Sequence, residues 1–257
     1  MDGATICKRF NALDSLRKTL DTTFQDIETY VVPYRGEFFQ PLNSEFEVDW
    51  TRPEIYDSTA PIAADLLAST IHSNLTSPQI PWFQLRFRRD TLNETVDAKE
   101  WLEKVQNQIW QTLHSSDFNM EIAETYLDLV SYGTAILFQE ELSDSKWEGM
   151  TFTSVPVRDS YFEYGADDKV IRFYRRLQLT QLQLEDQFPD HDFEFLNVDD
   201  DDKGPVDEKY MVVFCVYKRD DITEVSKMMA PEARPWGYKY IMHRNQDMLD
   251  EGGYYDM

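Results

Sequence analysis

The sequence has few of the residues that mark secreted, redox-active or metal-binding proteins. Its 257 residues include only two cysteines and four histidines. Cys7 and Cys215 lie far apart without a CxxC pair, which is typical of buried free thiols in a reducing compartment. The first residues contain no apolar signal-peptide segment, and no run approaches the roughly 18 apolar residues that a membrane span needs. We therefore expect a soluble, non-secreted protein.

Basic residues are also scarce. The chain has 25 Lys and Arg against 48 Asp and Glu, which gives a formal net charge of −23. A protein that grips nucleic acid by neutralising phosphates needs the opposite balance, so tight DNA binding is not expected. The 42% hydrophobic and 14% aromatic content indicates a folded chain. Its length is sufficient for one large domain or two small ones.

Residues 55–85 are the stretch around which the rest of the chain is organised. Residues 57–59 carry helix-capping chemistry, and Pro61 suits a helix's first turn. The helix should end near residue 77, because Pro78 and Pro81 remove backbone donors. Trp82 then begins an aromatic plug; if its ring is fully buried, Trp82→Ala costs about 3–5 kcal/mol. The predicted buried face comprises Ile62, Ala63, Leu66, Leu67, Ile71 and Leu75.

Three further helices follow from spacings of three and four residues. The first covers residues 4–31, ends at Pro33, and carries Leu13, Leu16, Leu20, Phe24, Ile27 and Tyr30. The second begins at Thr95 and carries Trp101, Leu102, Val105, Ile109, Trp110 and Leu113. The third is capped near Asp117, ends at Gly133 in a left-handed conformation, and places Phe118, Ile122, Tyr126, Leu129 and Val130 inward.

The segment from Trp82 to Arg89 alternates apolar and polar residues, as a half-buried strand does. Its polar positions include Arg86, Arg88 and Arg89, the most basic group in the chain. Two interpretations stay open: the arginines form the strand's solvated face and pair with acidic residues, which we favour, or they contact phosphates.

Composition changes after residue 139. Residues 140–202 contain 17 acidic and six basic residues, a net charge of −11. Strands are predicted at 134–138, 150–155, 161–164, 170–174, 210–217 and 236–243, with a short helix at 180–188. We predict an α+β fold, in which an N-terminal helical bundle packs on small mixed β-sheets. The predicted parts are a mainly helical 1–139 and an acidic, strand-rich 140–257.

Motifs that carry chemistry are missing. The histidines, His72, His114, His191 and His243, are scattered singly, without the His-Glu-x-x-His spacing of a helical zinc site. The acids Asp199–Asp202 are contiguous and lack the alternating ligands of a calcium loop. There is no phosphate-binding glycine loop and no nucleophile elbow. The sequence therefore assigns no catalytic, cofactor-binding or metal-binding residue and no cofactor, and favours a structural or interaction protein over an enzyme.

An ordered set of short segments carries a resemblance that no single motif does. These segments are Tyr30-Val-Val-Pro33, Ile55-Tyr-Asp-Ser-Thr-Ala60, Leu66-Leu-Ala-Ser69, Leu75-Thr-Ser-Pro78, Pro81-Trp-Phe-Gln-Leu85, Trp101-Leu102, Leu113-His-Ser-Ser-Asp-Phe118, Tyr126-Leu-Asp-Leu129, Tyr132-Gly-Thr-Ala135, Pro156-Val-Arg-Asp-Ser-Tyr161, Val170-Ile-Arg-Phe-Tyr174 and Thr180-Gln181. In this order they resemble the head-to-tail connector, or portal, proteins of short-tailed bacteriophages. The resemblance extends over nearly the whole chain.

This resemblance implies a virion structural protein, not an enzyme. Portal subunits form a ring, typically a dodecamer, at one capsid vertex. Double-stranded DNA is packaged through the ring by a separate terminase and ejected through it, and the tail attaches there through an adaptor protein. The implied partners are other copies of the chain, capsid protein, the tail adaptor, terminase and passing DNA, without a membrane. The implied location is the virion, with assembly in the host cytoplasm.

Within that family, the matched segments correspond to the wing part, and the sequence is expected to lack the stem and clip. Acids of residues 140–202 are expected to face the ring's interior or rim, where they would avoid attracting DNA. Arg86, Arg88 and Arg89 are expected to pair across subunits of the ring. The alternatives are an acidic scaffolding or adaptor protein and, less favoured, a metal-dependent hydrolase. The hydrolase needs a compact group of acids, and the acids here favour loops.

Overall fold

The chain folds into helices and antiparallel β-sheets. The computed structural model describes residues 1–33, 57–142, 147–193, 209–219, 234–250 and 252–255. Six helices lie in this part of the chain: α1 (Gly3–Tyr30), α2 (Thr59–Leu75), α3 (Asp90–Asn93), α4 (Val96–Ser115), α5 (Phe118–Tyr132) and α6 (Gln181–Gln187). The strands are β1 (Ile136–Glu141), β2 (Met150–Val155), β3 (Ser160–Tyr164), β4 (Val170–Thr180), β5 (Lys209–Lys218), β6 (Trp236–Met242) and β7 (Gly253–Tyr255). The predicted α+β class is confirmed.

Most predicted elements are present, and one is wrong. The four long helices lie within a few residues of their predicted positions, and β2 has the predicted bounds. The segment from Trp82 to Arg89, predicted to be a strand, has no regular secondary structure and no ladder partner among the described strands. Helix α3 and strand β7 were not predicted, because four and three residues are too few to show a periodic pattern.

The described residues form two compact units. The first contains Met1–Gln25 and the described residues of Arg158–Met257. The second contains residues 26–33 and the described residues from 57 to Val157. The predicted parts, 1–139 and 140–257, follow a change in composition rather than the packing of the chain, and that division stays a prediction.

The first unit is a five-stranded sheet with the N-terminal part of α1 packed on it. The strand order is β3-β4-β5-β6-β7, and every pairing is antiparallel. Register places Tyr161 opposite Tyr174, and Tyr174 opposite Cys215. These three residues form one core with the first turns of α1, whose contributions are Ile6, Cys7 and Phe10. The α1 residues Leu16 and Leu20, further along the predicted stripe, are 74% and 54% exposed.

Ion pairs and hydrogen bonds join α1 to the edge strand β3. Arg9 Nη1 lies 2.6 Å from Glu163 Oε1, and the same oxygen accepts a 2.8 Å hydrogen bond from Arg172. The guanidinium of Arg17 donates to the backbone oxygens of Arg158 and Ser160. These contacts fix the helix at one edge of the sheet, where charged side chains also discourage pairing with another strand.

The short helix α6 begins with a capping box. Thr180 Oγ1 accepts from Gln183 N, and Thr180 N donates to Gln183 Oε1 at 2.9 Å. This reciprocal pair satisfies two donors at the end of the helix. The helix buries Leu184 completely in a second core, which also contains Phe188, Phe193, Tyr210, Val212, Met242 and Leu249.

The second unit contains α2 to α5 and the hairpin β1–β2. Helix α5 packs against α2, α4 and both strands of the hairpin, so it is the central element of the unit. It ends as predicted at Gly133, whose φ of 72° is left-handed and whose N–H donates to Leu129 O. Among the residues that the structure describes, no helix is both long and apolar enough to cross a bilayer.

Candidate functional site

The titratable groups that sequence reasoning singled out lie in structural contacts. His72 Nδ1 is 2.8 Å from Thr76 Oγ1, and His243 Nε2 is 2.9 Å from Asn11 Oδ1. His114 stacks on Trp110, and the His191 ring lies 4.9 Å from that of Phe193. Within the described ranges, no group of three or more His, Cys, Asp or Glu residues is placed to hold a metal ion. Asp199–Asp202 lies outside them.

The two thiols are core groups of the first unit. Cys7 and Cys215 belong to the same buried cluster and form no disulfide. Burial raises the pKa of the Cys215 thiol to about 12 and also raises that of Cys7. Burial likewise raises the pKa of the Tyr161 and Tyr174 hydroxyls, which donate to Asp14 and Glu163. Neither thiol is in the thiolate form that a nucleophile requires.

The most unusual surface lies on α2, where the prediction of the buried face is wrong. Ile62, Leu66, Leu67 and Leu75 are 61%, 67%, 51% and 60% exposed. The buried residues of the helix are Pro61, Ala64 and Ala68. Ile62, Leu66 and Leu67 lie on the side of the helix away from the buried stripe, whereas Leu75 follows the alanine positions at the end of the helix. Large apolar residues on an exposed helix face are typical of surfaces that become covered by a partner.

Small residues explain why α2 is oriented in this way. Pro61, Ala64 and Ala68 recur at spacings of three and four, so they form one narrow stripe. Helix α2 packs mainly against α5. At the far end of α2, the buried hydroxyl of Thr76 donates to Tyr126 of α5 at 3.3 Å. The alanine stripe lets the two backbones approach closely and leaves the bulky residues outside.

The predicted plug after the prolines is only partly buried. Trp82 is 40% exposed, and its ring stacks on Phe118 at 6.2 Å. Phe118 in turn meets Phe152 of β2 edge-on at 5.1 Å. Because Trp82 is not fully buried, the condition for a cost of 3–5 kcal/mol on Trp82→Ala is not met.

The segment that follows is bonded along one side only. Leu85 N donates to Gln106 Oε1 of α4 at 3.4 Å, and Phe87 N donates to Asn93 Oδ1 at 2.8 Å. Phe83, Leu85 and Phe87 are half-buried, whereas the residues between them are exposed. We name residues 82–89 the basic segment. The N–H groups of Gln84 and Arg86 have no acceptor in the described part of the chain.

The arginines of the basic segment are available to a partner. Arg86, Arg88 and Arg89 are exposed. None of the three makes an ion pair or hydrogen bond with the residues that the structure describes. The prediction that acids of the same chain pair with them is not met by the described residues. Three unpaired arginines stand out in a chain with a net charge of −23.

The hairpin β1–β2 has one closed edge and one open edge. On the outer side of β2, Phe152 N donates to Asp117 Oδ1 at 2.9 Å and Ser154 N donates to Glu121 Oε2 at 2.6 Å. Both carboxylates belong to the start of α5, so the helix covers this edge. Strand β1 has β2 as its one described neighbour. Its other edge has no strand partner in the described chain.

Fold and surface together define a class of protein. In the described residues, buried polar groups hold backbone and helices in place, while large apolar and basic groups face outward. This distribution is typical of a subunit of a larger assembly.

Comparison with known proteins identifies the family. The chain matches the model of the bacteriophage head to tail connecting protein family over residues 4–257, and it belongs to that family. It is 26% identical over 184 residues to the portal protein of Salmonella phage epsilon15, covering 71% of this chain and 32% of that protein. It is 25% identical over 185 residues to the probable portal protein of Bordetella phage BPP-1, with the same coverage. The chain thus spans about a third of the length of these curated relatives.

Proposed function

We propose that this chain is a portal subunit, a structural protein of the virion. In this function it forms a ring at one capsid vertex, through which double-stranded DNA is packaged and ejected and to which the tail attaches. The match to the head to tail connecting family over residues 4–257 carries the proposal. The names of both relatives support it. The exposed apolar face of α2 adds physical support, because a ring subunit must bury such a face against its neighbours.

The proposed partners are those that the portal function requires. Other copies of the chain form the ring, typically a dodecamer. Capsid protein surrounds it, a tail adaptor binds below it, and terminase docks on it during packaging. The subunit itself acts as a support rather than an enzyme. The proposed location is the portal vertex of the virion, after assembly in the host cytoplasm. Residues 1–139 and 140–257 are proposed as the helical and the acidic parts of the wing.

The acidic balance fits a DNA conduit. Each phosphate that a channel neutralises releases counterions and adds affinity, so attractive contacts would slow the passage of DNA. Residues 140–202, with 17 acidic and six basic residues, supply −11 of the total charge of −23. We propose that part of this charge faces the interior or rim of the ring. An acidic scaffolding or adaptor protein is the second candidate, because it would share the same charge and the same exposed surfaces.

Negative-stain imaging and mass measurement of the purified full-length protein test the proposal. We expect closed rings with a central hole and a mass that is a whole multiple of the subunit mass. Monomers that persist at high concentration would contradict the portal function. Metal-dependent cleavage of DNA by those monomers would support the hydrolase instead.

A further inference from the structure

In the described part of the chain, the second unit has two backbone edges without a strand partner, and these edges are opposite in charge. One is the basic segment, whose inner N–H groups, at Leu85 and Phe87, bond to side chains of its own chain. The alternate burial of residues 83–87 indicates an extended chain, in which successive N–H groups point to opposite sides. The N–H groups of Gln84 and Arg86 therefore point outward, and neither has an acceptor among the described residues.

The second open edge belongs to β1, and the register identifies its groups. Phe152 and Ser154 donate to α5, so their N–H groups point away from β1. Their partners across the ladder are Gln139 and Leu137. In an antiparallel ladder, two opposite residues that exchange no hydrogen bonds both direct their N–H and C=O groups away from the partner strand. The outer edge of β1 thus presents the backbone groups of Leu137, Gln139 and Glu141.

The opposite charges of the two edges indicate that each edge can bind the other in a second copy of the chain. The basic segment carries Arg86, Arg88 and Arg89, which are exposed and unpaired within the described chain. The outer end of β1 carries exposed Glu140 and Glu141. An extended segment that adds to a sheet edge gains main-chain hydrogen bonds, and side-chain charge sets its specificity.

We propose that the basic segment of one copy adds as a strand to the open edge of β1 in a neighbouring copy. This inference rests on the proposed function and specifies the contact between subunits. The two surfaces differ, so the contact is heterologous, and a heterologous contact that closes produces a ring. Because Asp117 and Glu121 accept hydrogen bonds from the outer N–H groups of β2, the open edge of the hairpin in the described chain is that of β1.

Proline substitutions test the two edges separately. Proline removes one N–H and is tolerated where that N–H faces outward from an edge strand. Gln139→Pro and Gln84→Pro each remove one outward donor, and Gln139→Ala and Gln84→Ala are the matched controls. We expect each proline variant to raise the protein concentration at half-assembly by about tenfold or more in mass photometry. The alanine variants should assemble like the wild type.

Mixing gives the sharper result. The Gln84→Pro chain keeps its β1 edge, and the Gln139→Pro chain keeps its basic segment. An equimolar mixture should therefore form heterodimers that do not extend into rings. Charge exchange covers the case in which a proline variant fails to fold. Arg86→Glu with Arg88→Glu should weaken assembly, and adding Glu140→Lys with Glu141→Lys to the same chain should restore it.

The outcomes separate this inference from the proposed function. A full-length wild-type protein that stays monomeric would contradict the portal function itself. Wild-type rings together with proline variants and charge-reversed arginines that assemble equally well would overturn the strand addition and leave the portal function standing. Arginine variants that assemble normally but retain less double-stranded DNA would show that these side chains face DNA.

Discussion

Asp117 is expected to stabilise the second unit through its hydrogen bonds to strand β2. Its carboxylate accepts from Phe152 N at 2.9 Å and from Thr151 Oγ1 at 2.8 Å. A hydrogen bond to a charged group contributes about 1.5–3 kcal/mol. Phe152 is 5% exposed, so its N–H has little access to water once the acceptor is removed. The half-buried Thr151 hydroxyl recovers part of its loss from solvent. We therefore expect Asp117→Ala to lower the free energy of unfolding by about 2–4 kcal/mol.

Urea unfolding followed by tryptophan fluorescence measures this loss. Four of the six tryptophans, Trp82, Trp101, Trp110 and Trp147, lie in the second unit. Asp117→Asn keeps one oxygen that can accept from Phe152 N, so it should cost about 1 kcal/mol. Asp97→Ala removes an exposed acid from the first turn of α4. It is the control for the interaction with the helix dipole alone, which contributes about 0.3–1 kcal/mol.

Two results would refute this reasoning. Equal losses for Asp117→Asn and Asp117→Ala would show that the charge at the start of α5 matters, and not the bonds to β2. A loss below about 0.5 kcal/mol for Asp117→Ala would show that the cap does not stabilise the strand.

Three further predictions concern the first unit. Phe10, 2% exposed, packs on Tyr161, so Phe10→Ala should cost about 3–5 kcal/mol in urea unfolding followed by circular dichroism. Leu16→Ala, on a side chain that is 74% exposed, should stay within about 0.5 kcal/mol, and equal losses would contradict the packing. Burial raises the pKa of Cys7 and Cys215, so a thiol reagent at pH 8 should label neither in native protein and both in urea. Rapid native labelling would contradict their burial. Burial also lowers the pKa of His243 below its usual 6.5, so its protonation favours the unfolded chain. The free energy of unfolding that neutral His243 contributes should be fully present above pH 6.5 and should decrease as the pH drops below that value. His243→Gln should flatten this part of the urea-midpoint profile, and an unchanged profile would contradict the assignment.

Local signals allowed most elements to be predicted from the sequence. Pro61 in a first turn and Gly133 at a helix end each act within a few residues. Such signals do not depend on what packs nearby. For this reason the four long helices were placed correctly, and β2 was predicted with its observed bounds.

The direction in which a helix faces depends on its neighbours, and this part of the prediction failed. On α2 the apolar stripe through Leu66 and the small stripe through Ala64 and Ala68 both follow helical spacing. Periodicity alone favours the larger residues for the core. The structure buries the alanines, because the contact with α5 is close. Two stripes of different size on opposite sides of one helix were the signal that could have revealed an external surface.

The basic segment shows the same limit in a strand-like pattern. Its alternation correctly separated half-buried Phe83, Leu85 and Phe87 from exposed neighbours. Alternation says nothing about the presence of a partner strand. Here Gln106 and Asn93 take the place of a partner on one side. The arginines stand out in the sequence as a basic group in an acidic chain. Only the structure shows that they have no partner among the described residues.

Energetic magnitudes indicate why an assembly would need more than the α2 face. Fully burying a leucine or isoleucine contributes about 1.5–3 kcal/mol, so completing the burial of the partly covered Ile62, Leu66 and Leu67 contributes about 3–5 kcal/mol. Bringing two proteins together costs about 4–15 kcal/mol. Burial of the apolar face alone therefore roughly offsets the cost of association, and it does not fix the position of one subunit along the other. Strand addition supplies directional hydrogen bonds that set the register. Ring closure then adds a final contact without bringing in another subunit, so weak contacts between pairs are compatible with a stable ring.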